Sequence, residues 1–214
     1  MHLHNPLLPA ISGLFLLTAS VTSAPVTPPA PNNVQQFVGK GKIAAVAGSF
    51  FDSDDALIDS QKVGCLNAAG VLTLDDCAVF SRSDSYPNTL STSAGDCTFH
   101  NTRMPLNTDS FYGQTSHAWY CGELDDAHRE NLAELKDPAA PQETYYTVEG
   151  FTKPYLCTGE FGCYFDVKKA PTSNEDAIPV WQYFWGGSQM GITPGHLRIV
   201  WLWVPVGKGE KSSA

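Results

Sequence analysis

The segment 181–185 carries aromatic side chains at alternating positions. Trp181, Tyr183 and Trp185 are spaced two residues apart, and Gln182 is the only polar residue of the run 180–185. On a β-strand, alternate side chains point to one face at a spacing of about 7 Å, and rings so placed can stack against the sugars of a polymer. A strand that is apolar on both faces is more typical of a core. We therefore predict core packing for the three rings, with ligand binding as the alternative.

Six cysteines are the second group of residues whose type could do chemistry. They are Cys65, Cys77, Cys97, Cys121, Cys157 and Cys163. No two are spaced as Cys-x-x-Cys, which argues against a structural zinc site, and an even number behind an export signal is typical of disulfides. Each neighbouring pair brackets a predicted turn, which can bring two Cα atoms to the roughly 5.5 Å that a disulfide needs. The predicted pairs are Cys65 with Cys77, Cys97 with Cys121, and Cys157 with Cys163.

Other candidate sites are weaker. The acidic run 52–59 lacks the third oxygen ligand and the glycine of a calcium loop, because Ala56 stands at the ligand position. His117, Cys121 and His128 would form a cluster only on a helix, and an oxidised Cys121 is neither ligand nor nucleophile. No nucleophile elbow, zinc-protease motif or phosphate-binding loop is present. We expect no metal and no cofactor, and the catalytic residues of any hidden site stay unknown.

The N-terminus has the features of an export signal. An apolar run from Leu7 to Leu17 is followed by small residues up to Ala24, and it is too short to span a bilayer. The expected organisation is a signal peptide over 1–24, a proline-rich disordered leader over 25–40, one β-rich domain over 41–206 and a flexible tail over 207–214. Secretion to the extracellular space follows from this assignment.

The net charge of the chain limits the classes of binding partner that are expected. The formal net charge is −9, and residues 1–34 contribute none of it, so the mature chain is acidic. Binding nucleic acid requires clustered Lys and Arg that neutralise phosphates, so nucleic acid is not an expected partner. We expect no membrane span, a monomer, and an extracellular protein or glycan as the partner.

Short β-type runs separated by turns dominate the rest of the chain. One amphipathic helix is predicted over Leu124–Lys136, ended by Asp137-Pro138. The run from His196 to Val204 is apolar at both alternating sets of positions, which predicts a central strand. The expected fold is mainly β, a disulfide-stapled antiparallel sandwich or barrel with one helix.

The export signal, six cysteines, acidic chain and absence of catalytic motifs, with the stretches Gly64 to Asn67 and Gly95 to Phe99, resemble small secreted cysteine-rich proteins of filamentous fungi. Many of those act as effectors on hosts or competitors. The resemblance implies a secreted non-enzymatic interaction protein that acts as an effector or in virulence. The alternatives are a carbohydrate-binding or cell-wall-associated protein, resting on the 181–185 aromatics, and a secreted hydrolase without a recognisable motif.

Overall fold

The structure is a computed structural model, and it describes residues 34–35, 39–48, 60–82, 89–110, 113–123, 145–148, 154–158, 162–183 and 192–207. Its elements are strands: β1 Val34–Gln35, β2 Gly41–Ala47, β3 Lys62–Leu66, β4 Leu72–Thr73, β5 Ser81–Arg82, β6 Leu90–Thr92, β7 Gly95–Thr98, β8 Tyr120–Gly122, β9 Tyr145–Val148, β10 Tyr155–Thr158, β11 Tyr164–Val167, β12 Val180–Gln182 and β13 Leu197–Pro205. The fold is mainly β with antiparallel sheets. The predicted helix Leu124–Lys136 and the segment 1–24 lie outside the described residues.

The strand β13 is the centre of the larger sheet. It pairs with β2 along one edge and with β10 and β11 along the other, all antiparallel. The described part of this sheet has nine strands, ordered β1-β9-β10-β13-β2-β3-β4, with β11 and β12 joined beside β13. The prediction of a central strand from the doubly apolar pattern is confirmed. One position differs, because Val204 lies near the end of the strand and is exposed.

Each face of β13 contributes to a separate apolar cluster. Ile199, Trp201 and Trp203 lie in the first cluster, and Val200 and Leu202 lie in the second. The side chain of Trp201 stacks on the ring of Phe165 in β11, with ring centroids 3.5 Å apart. Alternation along one strand thus places large side chains in two cores at once.

The smaller sheet has the order β5-β6-β7-β8 among the described residues. Its inward side chains belong to the first apolar cluster, together with those of β2 and β13. Trp119, next to β8, packs against Trp201 at a centroid distance of 4.6 Å and donates an indole hydrogen bond of 2.9 Å to the Tyr145 hydroxyl. The two sheets therefore share one core.

The β-type runs of the sequence include 62–67, 71–74, 77–80, 89–93 and 163–167, and most of the strands that form in them are shorter. The run 77–80 is not a strand, because only Phe80 pairs, with Gly41, before β5 begins. In the hairpin of β6 and β7 the turn is Ser93–Ala94, since Thr92 pairs with Gly95. Within the segment predicted as a loose leader, β1 pairs with β9.

The described residues include no helix long and apolar enough to cross a membrane.

Candidate functional site

A buried carboxylate lies in the middle of β11. Asp166 is 1% exposed and its neighbours in the strand are the apolar Phe165 and Val167. It lies opposite Arg198 of β13 and Trp181 of β12 in the register of the sheet. A charged group in such a position is unfavourable unless hydrogen bonds or an opposite charge compensate for the lost water.

Both oxygens of Asp166 have a donor. His196 Nδ1 lies 2.8 Å from Oδ1, and because a carboxylate oxygen accepts, Nδ1 carries the hydrogen. The amide nitrogen of Asn107 donates to Oδ2 at 2.9 Å. Asn107 is fully buried, and its own amide oxygen has no hydrogen-bond partner among the described residues. The result is a buried chain of three side chains from three separate segments.

The second nitrogen of the His196 ring lies near the carboxylate of Asp109. Nε2 lies 3.8 Å from Oδ2 of Asp109, a carboxylate that is half exposed. Nε2 makes no hydrogen bond within the described residues, and 6% of the side chain is exposed. One ring nitrogen is thus held by the Asp166 carboxylate, and the other is not hydrogen-bonded within the described residues.

Lys168 completes the charged cluster. Its ammonium forms an ion pair with Asp109 and lies 6.0 Å from the centroid of the Trp181 ring. The hydrogen bond and the charge of Lys168 lower the pKa of Asp109, and smaller contributions come from the Thr108 hydroxyl and from His196, against a small opposing effect of burial. Asp109 is therefore ionised at neutral pH.

The loop that carries Asn107 and Asp109 is fastened to the sheets by backbone contacts. The carbonyl of Pro105 accepts hydrogen bonds from the Trp181 indole at 3.0 Å and from the amide of Ala118 at 2.9 Å. The amide of Asn107 donates to the carbonyl of Ser116 at 3.0 Å. The loop thus holds Asn107 against β11 independently of the carboxylate.

A tight turn positions the histidine. Pro194 and Gly195 precede His196, whose amide donates to the carbonyl of Thr193 at 2.9 Å. Gly195 has φ of +86°, a conformation that is strained for side-chain-bearing residues. The turn at Pro194-Gly195 therefore directs His196 toward Asp166 of β11.

The described members of the aromatic run are buried. Trp181 is 2% exposed and Tyr183 is 5% exposed. Tyr183 packs edge-on against Tyr164 at a centroid distance of 6.0 Å. Trp185 lies outside the described residues. Neither described ring offers an open face to a ligand.

The three disulfides join the neighbours that the turn argument predicts: Cys65 to Cys77, Cys97 to Cys121 and Cys157 to Cys163. The second joins positions that are directly paired between β7 and β8. The third brackets the Thr158–Gly162 bridge between β10 and β11. No free thiol is present among the six cysteines.

The other candidate sites from the sequence do not form a site among the described residues. Cys121 is a disulfide half, and His117 uses Nδ1 in a 2.9 Å contact with the carbonyl oxygen of Met104. His128 and the acidic run 52–59 lie outside the described residues. Within the part of the chain that the structure describes, no three side chains are grouped to hold a metal ion.

No protein-family model, curated protein or solved structure matches the chain.

Sequence reasoning missed the pair of Asp166 and His196. The only local signal was an acid inside the apolar run Tyr164–Val167, a position where a strand usually has Val or Ile. The partners Asn107 and His196 are 59 and 30 residues away from it in the chain. No spacing rule joins such positions, because the tertiary fold alone brings them together.

Proposed function

We propose that the chain is a secreted interaction protein of the effector type, which acts by binding an extracellular protein. In this proposal residues 1–24 are a signal peptide that is removed on export. The observation that carries it is the set of three local disulfides. Disulfides form and persist in oxidising compartments such as the extracellular space.

The positions of the disulfides support a role in binding. Each bridge closes a short chain segment next to a loop, with sequence separations of 12, 24 and 6 residues. A loop held in one conformation loses less entropy when a partner binds, which favours affinity. The two sheets share a core, and we take this arrangement to be a sandwich that displays its loops at the edges.

The charge supports a protein partner over a nucleic acid. The net charge is −9, and Asp75, Asp76 and Glu175 are exposed on neighbouring loops, which a hydrogen bond from Asn174 to Asp75 joins. Phosphates would be repelled by such a surface.

Binding is tested with the mature, oxidised protein as bait in extracellular fluid. A retained protein is then purified and titrated against the bait by calorimetry. The matched control is the same bait after reduction and alkylation, which breaks the three disulfides and leaves the amino-acid sequence unchanged. Saturable binding that reduction abolishes is expected, and the absence of any saturable partner would contradict the proposal.

A second candidate is a secreted hydrolase, and one observation favours it: a buried aspartate holds Nδ1 of His196, whose Nε2 lies 3.8 Å from Asp109. We do not extend the proposal to carbohydrate binding, because that alternative needs exposed rings and Trp181 and Tyr183 are buried.

A further inference from the structure

The fold of β11 does not require an aspartate at position 166. An apolar residue of similar size at this position would leave no buried charge to compensate. What the carboxylate adds is a fixed orientation for one imidazole ring, since Oδ1 receives His196 and Oδ2 is held by Asn107. Buried aspartates that orient a histidine whose other nitrogen is free are typical of proton-transfer sites.

We propose that His196 is the general base of a site that hydrolyses carboxylic esters, with Asp166 and Asn107 as positioning residues and with Asp109 and Lys168 at its opening. The proposal rests on the second candidate function, the secreted hydrolase.

The distances allow a water molecule to be held for attack. Nε2 of His196 and Oδ2 of Asp109 are 3.8 Å apart. One water oxygen at about 2.8 Å from each atom fits this separation, with one hydrogen toward Nε2 and the other toward Oδ2. Hydrogen on Nδ1 leaves the lone pair of Nε2 free to accept the proton. The lowered pKa of Asp109 keeps its carboxylate in the accepting form.

The reaction balances with water as the only co-reactant. Nε2 takes a proton from water while the water oxygen forms a bond to the acyl carbon. The negative charge that develops on the carbonyl oxygen is stabilised by the ammonium of Lys168, which is 45% exposed and so able to turn toward a substrate. The bond from the acyl carbon to the ester oxygen then breaks, and the leaving alcohol takes the proton from Nε2. The products are a carboxylic acid and an alcohol, and His196 is neutral again.

The charges favour esters over other hydrolysable bonds. A glycoside needs a protonated carboxyl to protonate its leaving group, and the Lys168 ion pair keeps Asp109 ionised. Phosphate esters are anions and are repelled by Asp109, by Asp166 and by the net charge of −9. An uncharged carboxylic ester needs one base, one cation and one water.

The test measures hydrolysis of 4-nitrophenyl acetate by the mature, oxidised protein and by the variant His196→Gln. Removing a general base typically lowers the rate by about 100-fold to 10,000-fold, so we expect kcat/KM to fall at least about 100-fold. The control is His117→Gln, since His117 is also partly buried and hydrogen-bonded but lies outside the cluster. It should keep the wild-type rate.

Asp166→Asn tests the positioning role through the pH profile. The wild-type rate should rise with pH as the general base loses its proton, and this limb should move in the variant. A purely structural role for Asp166 would change the melting temperature and leave the limb in place. If Asp166→Asn does not fold, Lys168→Met, at a half-exposed position, should lower kcat with little effect on stability.

Three outcomes would overturn the proposal. The first is a wild-type rate no higher than that of free imidazole at the same concentration, and the second is an unchanged rate in His196→Gln. The third is hydrolysis of 4-nitrophenyl glycosides or phosphates with none of the ester, which contradicts the ester assignment and leaves the hydrolase candidate standing. If no substrate of this panel is hydrolysed, both the inference and the hydrolase candidate fail.

Discussion

Phe165 and Asp166 are adjacent on β11 and equally buried, at 0% and 1% exposure, yet they are stabilised in different ways. Phe165 packs among rings, with Trp201 stacked on it at 3.5 Å between centroids. Asp166 has two hydrogen bonds, one from a histidine and one from an amide. The face of β11 that carries Phe165, the apolar face, is stabilised by many weak contacts that add up. The face that carries Asp166, the polar face, depends on each hydrogen-bond partner being present.

The largest effect is expected on the apolar face. Trp201 is fully buried and packs against Phe165, Trp119 and Phe99. Trp201→Ala should lower the free energy of unfolding by about 3–5 kcal/mol, because the lost contacts leave a cavity. Urea unfolding followed by circular dichroism measures it. Val204→Ala, at an exposed position of the same strand, is the control and should change stability by less than about 0.5 kcal/mol.

The two disulfides that lie in the two apolar clusters should contribute differently to the free energy of unfolding, because they close loops of different length. Cys97 and Cys121 close a separation of 24 residues, and Cys157 and Cys163 close a separation of 6. Replacing both members by Ala should cost about 3.5 kcal/mol for the first pair and about 2 kcal/mol for the second, if the bridges act by restricting the unfolded chain. All four cysteines are buried, so the cavities are comparable. Equal losses for the two pairs would show that loop length is not what matters here.

The polar face is tested by Asn107→Ala. The change removes the 2.9 Å hydrogen bond to Asp166 and leaves one buried oxygen without a donor. A loss of about 1–3 kcal/mol is expected in the same unfolding assay. Thr108→Ala, at the exposed next position, serves as control. If Asn107→Ala were as stable as the control, the polar face would not depend on this partner.

The smallest effect concerns a partly buried carboxylate. Asp176 accepts hydrogen bonds from the Thr172 amide and hydroxyl and from the ammonium of Lys169, and a further one from the Ser173 amide, which together hold its pKa far below the ordinary value. Because the folded pKa is depressed, the stabilisation is present above the unfolded pKa of about 3.9 and is lost as the pH falls through the folded pKa.

Thermal melts from pH 7 down to strongly acidic solution check this. Asp176→Asn should melt below the wild type at neutral pH, and the difference should shrink as the pH falls below about 4. Glu175→Gln, at the exposed neighbouring position, is the control. A difference between Asp176→Asn and wild type that is constant with pH would contradict the assignment.

The same contrast explains what the sequence could predict. The pattern of β13 and the turns around the cysteines are local, so alternation and turn residues indicated a central strand and neighbouring disulfide pairs. The burial of Trp181 and Tyr183 followed from an apolar run on both faces. His196 and Asn107 meet Asp166 only through the packing of separate segments, and an isolated acid in a short strand carries no information about its partners.

The central claim, a secreted chain stapled by local disulfides, is tested most directly by mass spectrometry of non-reduced peptides from the protein collected outside an expressing cell. The account predicts a mature N-terminus after Ser23 or Ala24 and three linked peptides, joining Cys65 to Cys77, Cys97 to Cys121 and Cys157 to Cys163. Protein retained inside the cell with residues 1–24 attached, free thiols, or a bridge between Cys65 and Cys163 would contradict it.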